Sequence, residues 1–185
     1  SAQGNVPVPA NTAVRLEVDL GLTDLAFLEA LVPSGLDSLV LTGRNVTDAQ
    51  MPFVGKLTML QDLVLWTPRI TDQGFVELRN VTSLRRVSLR DLSLTDAAAS
   101  VLQGWQRLES LEFNNVPITD ETIGALTQLP RLRELRVSFC PISNASLAHF
   151  RKMGALRVLS VNNTQLSKPA LQTLQYDLPE CTIEY

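Results

Sequence analysis

Apolar residues return along this chain at one fixed interval. Leu36, Leu60, Leu84, Leu108, Leu132 and Leu156 are each 24 residues apart. Three positions further on stand Leu39, Leu63, Val87, Leu111, Leu135 and Leu159; two beyond those stand Leu41, Leu65, Leu89, Phe113, Val137 and Val161. Each unit therefore opens as L-x-x-L-x-L, and the register holds without a slip from Leu36 to Pro179. With that first Leu as offset zero, further apolar columns follow at offsets ten, fifteen, eighteen and twenty-one. The last of them reads Leu57, Val81, Trp105, Leu129, Met153 and, as its one polar member, Asp177.

The period changes inside each unit. Offsets three and five alternate with more polar neighbours, the pattern of a strand with one buried face. Offsets fifteen, eighteen and twenty-one are spaced by three, as on one stripe of a helix. A unit is thus predicted to be a short strand, a turn and a helix of about two to three turns. One unit alone cannot bury both faces, whereas stacked units can, which predicts a solenoid.

A hydroxyl recurs at offset eleven, as Thr47, Thr71, Thr95, Thr119, Ser143 and Ser167. The next residue is Asp48, Asp72, Asp96 or Asp120, then Asn144 and Lys168. A hydroxyl just before the helical stripe is placed to accept from a free N–H of the first turn, worth about 1 kcal/mol per cap. An acid in that turn is favoured by the helix dipole. The repeated Thr-Asp is therefore read as helix-starting punctuation and not as catalytic machinery.

These columns divide the chain. Residues 1–13, SAQGNVPVPANTA, read as a polar, Pro-containing linker, and 14–185 as one repeat domain. Within it, 14–35 is a variant first unit: Val14, Leu16 and Val18 alternate, shifted by one residue, and Leu22-Thr23-Asp24 falls in phase with the later I-T-D triplets. Six 24-residue repeats span 36–179, and 180–185 forms a capping strand with Ile183 and Tyr185 at offsets three and five. Pro52, at about the fifth helical position of its unit, predicts a shortened or kinked segment there.

L-x-x-L-x-L followed by a helix-starting I-T-D resembles the leucine-rich repeat family, and the resemblance covers the chain from about Val14 to Tyr185. The family's usual Asn or Cys at offset eight is replaced by Arg44, Pro68, Leu92, Val116, Cys140 and Thr164, so the common asparagine ladder is missing. The 24-residue length and the I-T-D look like the helix-containing class, similar to ribonuclease-inhibitor-type and bacterial repeats. The ending VNNTQLSKPALQTLQYDLPECTIEY resembles the terminal repeat of bacterial leucine-rich proteins common in planctomycete-like genomes. The resemblance implies an α/β class: a right-handed horseshoe with a parallel sheet on the concave face and helices on the convex face. On such rungs Cys140 and Cys181 lie about two units apart at different heights, beyond the ~7 Å Cα limit of a bridge, so both are expected as unpaired, buried or half-buried thiols.

Composition then narrows the function. The chain of 185 residues is 45% hydrophobic and 19% charged, with a net charge of −3. That balance disfavours general nucleic-acid binding, which needs a strongly basic face. No apolar run approaches the ~18 residues of a membrane span, so no membrane insertion of this segment is expected. Phosphate-cradling loops and metal-ligand spacings are absent, so no metal or cofactor is predicted. His149, the single histidine, sits on a predicted convex helix without acid or nucleophile near it in sequence, and reads as a surface residue.

Candidate chemistry lies at offsets two, four and six, which point outward from the strands. By rung they are Ser38, Val40, Thr42; Asp62, Val64, Trp66; Arg86, Ser88, Arg90; Ser110, Glu112, Asn114; Glu134, Arg136, Ser138; Val158, Ser160, Asn162. Cross-strand pairs such as Arg86 with Asp62 and Arg136 with Glu112 are placed to neutralise each other, and Glu112 with Glu134 form a candidate carboxylate pair. Trp66 and Arg90 are of two readings: an exposed binding hot spot, or a self-contained cation–π stack covering the sheet. Offset seven carries a second exposed aromatic, Phe139. The predicted partner-binding set is Trp66, Arg86, Arg90, Glu112, Asn114, Arg136 and Phe139. Sequons stand at Asn45, Asn80, Asn144 and Asn162, and those at Asn45 and Asn144 arise partly from the repeat itself.

The expected function is non-enzymatic protein–protein recognition through the concave sheet, the role the family resemblance implies. The alternatives are a spacer module of a larger envelope protein, or the substrate-recognition domain of a larger ligase- or kinase-type protein. The sequence does not name the compartment, and leaves a bacterial periplasm or cell envelope and the cytoplasm alike open.

Overall fold

The computed structural model describes residues 14–18, 25, 26, 28, 35–43, 45–66 and 69–185. The predicted linker 1–13, the Leu22-Thr23-Asp24 triplet, and Arg44, Thr67 and Pro68 lie outside the described residues. Among the described residues eight strands form one parallel sheet in chain order: β1 (Arg15–Val18), β2 (Ser38–Thr42), β3 (Asp62–Trp66), β4 (Arg86–Arg90), β5 (Ser110–Asn114), β6 (Glu134–Ser138), β7 (Val158–Asn162) and β8 (Thr182–Glu184). The register from β2 to β8 is the sequence period itself. Leu39 pairs with Leu63, then Val87, Leu111, Leu135, Leu159 and Ile183. The first strand is offset as its alternation indicated: Leu16 pairs with Leu39 and Val18 with Leu41, 23 residues away instead of 24.

The apolar columns form one continuous core. Offsets zero, three and five are buried from Leu36 to Val161, and the helical columns close over them. Trp105 is wholly buried, its ring edge-on to Phe75 at 5.6 Å between centroids, and its indole N–H reaches Leu78 O at 3.4 Å. Such an aromatic pair adds about 1 kcal/mol beyond the area it buries. Asp177, the one polar member of its column, is exposed and accepts from Arg151 Nε at 2.7 Å. Offset eight joins the core, because Leu92, Val116 and Cys140 are buried where the common repeat carries its asparagine. Cys140 and Cys181 are free and buried, and burial pushes both thiols up from their ordinary value.

Of the convex segments among the described residues, four, of 4 or 5 residues, are shorter than the two to three turns the spacing predicts, and two, of 7 and 10 residues, reach it. In chain order they are α1 (Met51–Gly55), α2 (Asp72–Phe75), α3 (Ala99–Leu102), α4 (Asp120–Leu126), α5 (Leu147–Phe150) and α6 (Lys168–Asp177). Tight 3-10 turns precede or follow most of them, at Asp48–Gln50, Val76–Asn80, Asp96–Ala98 and Asn144–Ser146. Pro52 sits in the first turn of α1, where its missing N–H is not needed, and the 3-10 turn before it absorbs the break. The physical cause of the shortening is spacing. Strands stack about 4.8 Å apart, whereas helices need about 8–10 Å. The mismatch bends the stack so that the sheet lines its concave side, and narrower segments on the outer side keep that bend within what the hydrogen-bonded sheet allows.

Consecutive units are tied by a polar ladder at the turn into the convex segments. Asp48 Oδ1 accepts from the Thr71 N–H at 2.8 Å and its Oδ2 from the Thr71 hydroxyl at 2.6 Å. Asp72 holds Thr95, Asp96 holds Thr119 and Asp120 holds Ser143 in the same two-pronged way, with distances between 2.6 and 3.0 Å. Asn144 closes the series on Ser167, its Oδ1 accepting the N–H at 3.0 Å and its Nδ2 donating to the hydroxyl at 3.3 Å. Each hydroxyl from Thr71 to Ser143 also accepts from the backbone N–H two residues on, which is the cap the sequence suggests. The aspartate therefore does more than favour a dipole: it holds the cap of the next unit.

Candidate functional site

Along the outward sheet face, opposite charges neutralise each other in three groups. Arg86 Nη2 donates to Asp62 Oδ2 at 2.7 Å, as the register of β3 and β4 suggests, and that bond raises the Arg86 pKa above its ordinary value. Arg90 Nη2 donates to Glu112 Oε2 at 2.9 Å, and its Nε donates to Ser88 Oγ at 3.0 Å. Arg136 pairs with Glu134 on its own strand, and Ser110 Oγ donates to Glu134 Oε2 at 2.9 Å.

Two expectations are corrected here. Arg136 stands opposite Glu112 in the register but does not neutralise it, because Ser88 and Arg90 already occupy that carboxylate. Arg90 does not stack on Trp66: its guanidinium is drawn to the half-buried Glu112, where a charge-assisted hydrogen bond outweighs a cation–π contact at an exposed site. Among the described residues the cation–π contact is elsewhere, Lys56 over Phe53. Glu112 and Glu134 thus each serve an arginine and do not form a carboxylate dyad. Asn114, in register between Arg90 and Ser138, makes no side-chain hydrogen bond among the described residues. A shallow depression of about 240 Å³ follows the lower part of this face, between Asp62, Arg86, Ser88, Ser110, Glu112 and Arg136.

The two exposed aromatics lie at the strand ends. Trp66, the last residue of β3, is 50% exposed, and its indole N–H donates to Asp91 Oδ2 at 2.5 Å. Asp91 Oδ1 in turn accepts from Asn115 Nδ2 at 2.7 Å. On the next rung stands Phe139, 58% exposed. Asp91, Asn115, Phe139 and Asn163 share offset seven, and all four have positive φ, between 52° and 55°. The turn out of each strand needs that left-handed residue, whose N–H adds one more rung to the ladder, as Phe139 N–H to Asn162 O at 3.0 Å. Asn and Asp tolerate the conformation; a bulky phenylalanine is a genuine outlier there. A depression of about 440 Å³ runs under this rim between Asp91, Asn115, Pro117, Phe139 and Pro141.

Of the predicted set, the structure brings Trp66, Arg90 and Asn114 into one register at the end of the face, with Phe139 beyond them on the rim; Glu112 and Arg136 share the middle register, and Arg86 lies lower, in its ion pair with Asp62. Asp91 and Asn115, which their offset places on the way from the strands to the loops, link the aromatic end of the rim to its turns. The signal for them was the offset-seven column itself, in which Gly43, Asp91, Asn115 and Asn163 are all residues that accept positive φ. His149 is half-buried on α5, where its ring fills the space left by Gly124 on the preceding unit. Among the described residues no three His, Cys, Asp or Glu side chains converge as metal ligands, and no helix is long and apolar enough to cross a membrane.

No family model matches the chain, and no curated protein matches it. Solved structures do. An internalin from Listeria monocytogenes superposes with a TM-score of 0.66 at 25% identity, over 89% of this chain and 51% of that one. Internalin C2 from the same organism gives 0.65 at 21% identity, over 86% of this chain and 66% of that one. A leucine-rich repeat protein of Leptospira interrogans gives 0.56 at 20% identity, over 81% and 36%. The chain thus spans from about a third to two thirds of the length of these relatives. The eight-stranded parallel sheet with its convex helices is the α/β leucine-rich repeat solenoid.

Proposed function

We propose that this leucine-rich repeat protein is a non-enzymatic recognition scaffold that binds a protein partner through its concave sheet and the adjoining strand-end rim. One observation carries the reading: Phe139 stands exposed in a backbone conformation that costs a bulky residue of the order of 1–2 kcal/mol. Its neighbours in the column use Asp and Asn at no such cost. Strain kept at an exposed aromatic is characteristic of residues retained for contact and not for folding. Trp66, with its N–H fixed on Asp91, supplies a second aromatic anchor three rungs away, about 14 Å along the sheet. Between the two aromatics, Arg90 is already held by Ser88 and Glu112, and Asn115 by Asp91, so these side chains lose little entropy when a partner covers them.

The test is differential capture from native lysate with the wild-type chain, Trp66→Ala and Phe139→Asn. The expected result is a partner held by the wild type and weakened at least tenfold by each substitution, with circular dichroism unchanged. Equal capture by all three chains rules out the aromatic rim and the concave face above it as the binding surface.

A further inference from the structure

The opposite rim of the sheet, where the strands begin, has a different character. Arg85, Glu109, Arg133 and Arg157 occupy one register position on successive rungs, joined by backbone bonds such as Arg133 N–H to Glu109 O at 2.8 Å and Arg157 N–H to Arg133 O at 2.7 Å. Two residues before this column stand Arg107 and Arg131, again on consecutive rungs. Glu109 is taken by Arg85 at 2.7 Å, and Glu180 lies 3.3 Å from Arg157. Arg107, Arg131 and Arg133 are exposed and make no side-chain hydrogen bond or ion pair among the described residues. A depression of about 490 Å³ opens between Glu109, Pro130, Arg131, Arg133, Ala155 and Arg157.

We infer that this rim is a second docking site, for an acidic peptide segment of a partner. Five arginines against two glutamates leave a local charge of +3 on a chain whose net charge is −3. A positive patch kept on an acidic molecule steers acidic ligands to it and repels basic ones. The cations are all arginine, whose planar fork takes a carboxylate through two parallel hydrogen bonds. The free arginines lie on two consecutive rungs about 4.8 Å apart, and with Arg157 on the next rung the row reaches about 10 Å, the length of about three residues of extended chain. A continuous phosphate backbone fits less well: Glu109 and Glu180 interrupt the patch, and its lining holds no aromatic residue on which bases stack. A membrane surface fits less well too, since the lining offers only Pro130 and Ala155 as apolar contact and no aromatic anchor. The site lies at the other end of the strands from Trp66 and Phe139, so it stands or falls apart from the concave-face reading.

The test is fluorescence anisotropy of a labelled octapeptide of Glu and Asp, titrated with the wild-type chain, Arg131→Glu/Arg133→Glu, the milder Arg133→Gln, and Trp66→Ala. The wild type and Trp66→Ala are expected to bind alike, with affinity falling as salt rises. The double reversal is expected to weaken binding at least tenfold and to gain affinity for an octalysine peptide, while its thermal melt stays unchanged. Should the double variant melt early, Arg133→Gln decides, with an expected loss of about threefold. Equal binding of the acidic peptide by wild type and variants overturns the inference. So does tighter binding of an equally charged single-stranded oligonucleotide, or of phosphatidylserine vesicles, than of the peptide.

Discussion

Asp96 illustrates how one residue is asked to do several things. Its carboxylate accepts the N–H and hydroxyl of Thr119, and also the N–H and hydroxyl of the fully buried Thr122, the latter at 2.5 Å. Asp96→Ala leaves these donors unpartnered, and chemical denaturation is expected to register a loss of about 3 kcal/mol. Asp96→Asn is expected to cost about 1 kcal/mol, because the Asn144–Ser167 rung shows that an amide can hold the same two groups. Equal losses for the two variants would mean that the bonds are not what the position supplies. Phe139 presents the opposite case. Phe139→Asn places a residue suited to φ near 55° and is expected to raise stability by about 1 kcal/mol, read as a higher denaturant midpoint at unchanged slope.

At the scale of elements, packing between convex segments is set by small residues. Offset fourteen runs Gln50, Gly74, Ala98, Thr122, Ser146 and Ala170. A Cβ on Gly74 would overlap the Asp48 carboxylate and lie 2.7 Å from its Cα, and a Cβ on Gly55 would overlap Glu77 O. Gly55→Ala therefore forces backbone apart and is expected to cost about 2 kcal/mol. Gly154→Ala meets open space, does not need positive φ, and is expected to gain about 0.5 kcal/mol by stiffening the unfolded chain. Thermal melts of the two variants should move in opposite directions; a common direction would show that the contact at Gly55 is not tight.

At the scale of the molecule, the ladder joins each unit to the next from Asp48 to Ser167, so its protonation is felt along the stack. Burial pushes the Asp96 and Asp120 carboxyls up, but the hydrogen bonds from Thr122 and Thr119 to the first, and from Ser143 and Ser146 to the second, outweigh it and leave both below the ordinary 3.8. A carboxyl depressed in the folded state contributes stability that is complete above its unfolded value and is lost as pH falls through the folded one. Stability is thus expected to be flat down to about pH 5 and to fall below about pH 4. Asp96→Asn/Asp120→Asn should flatten that acid limb. An acid limb as steep as the wild type's would place the titration elsewhere.

The period, the strand register and nearly every core column were legible in the sequence, because each of those features depends on a residue's place within its own unit. Leu39 and Leu135 each stand between a leucine on the strand before and a leucine on the strand after, so one rule read off the pattern serves both. The tertiary structure alone decided which partner each polar side chain takes. Arg90 had Trp66, Ser88 and Glu112 within reach, and competition between them, not spacing, set the outcome. It also decided the length of the convex segments, since that depends on how closely units stack, and it gathered five arginines dispersed over four units onto one rim. Such arrangements arise between units, from distances and charges that exist only once the chain has coiled.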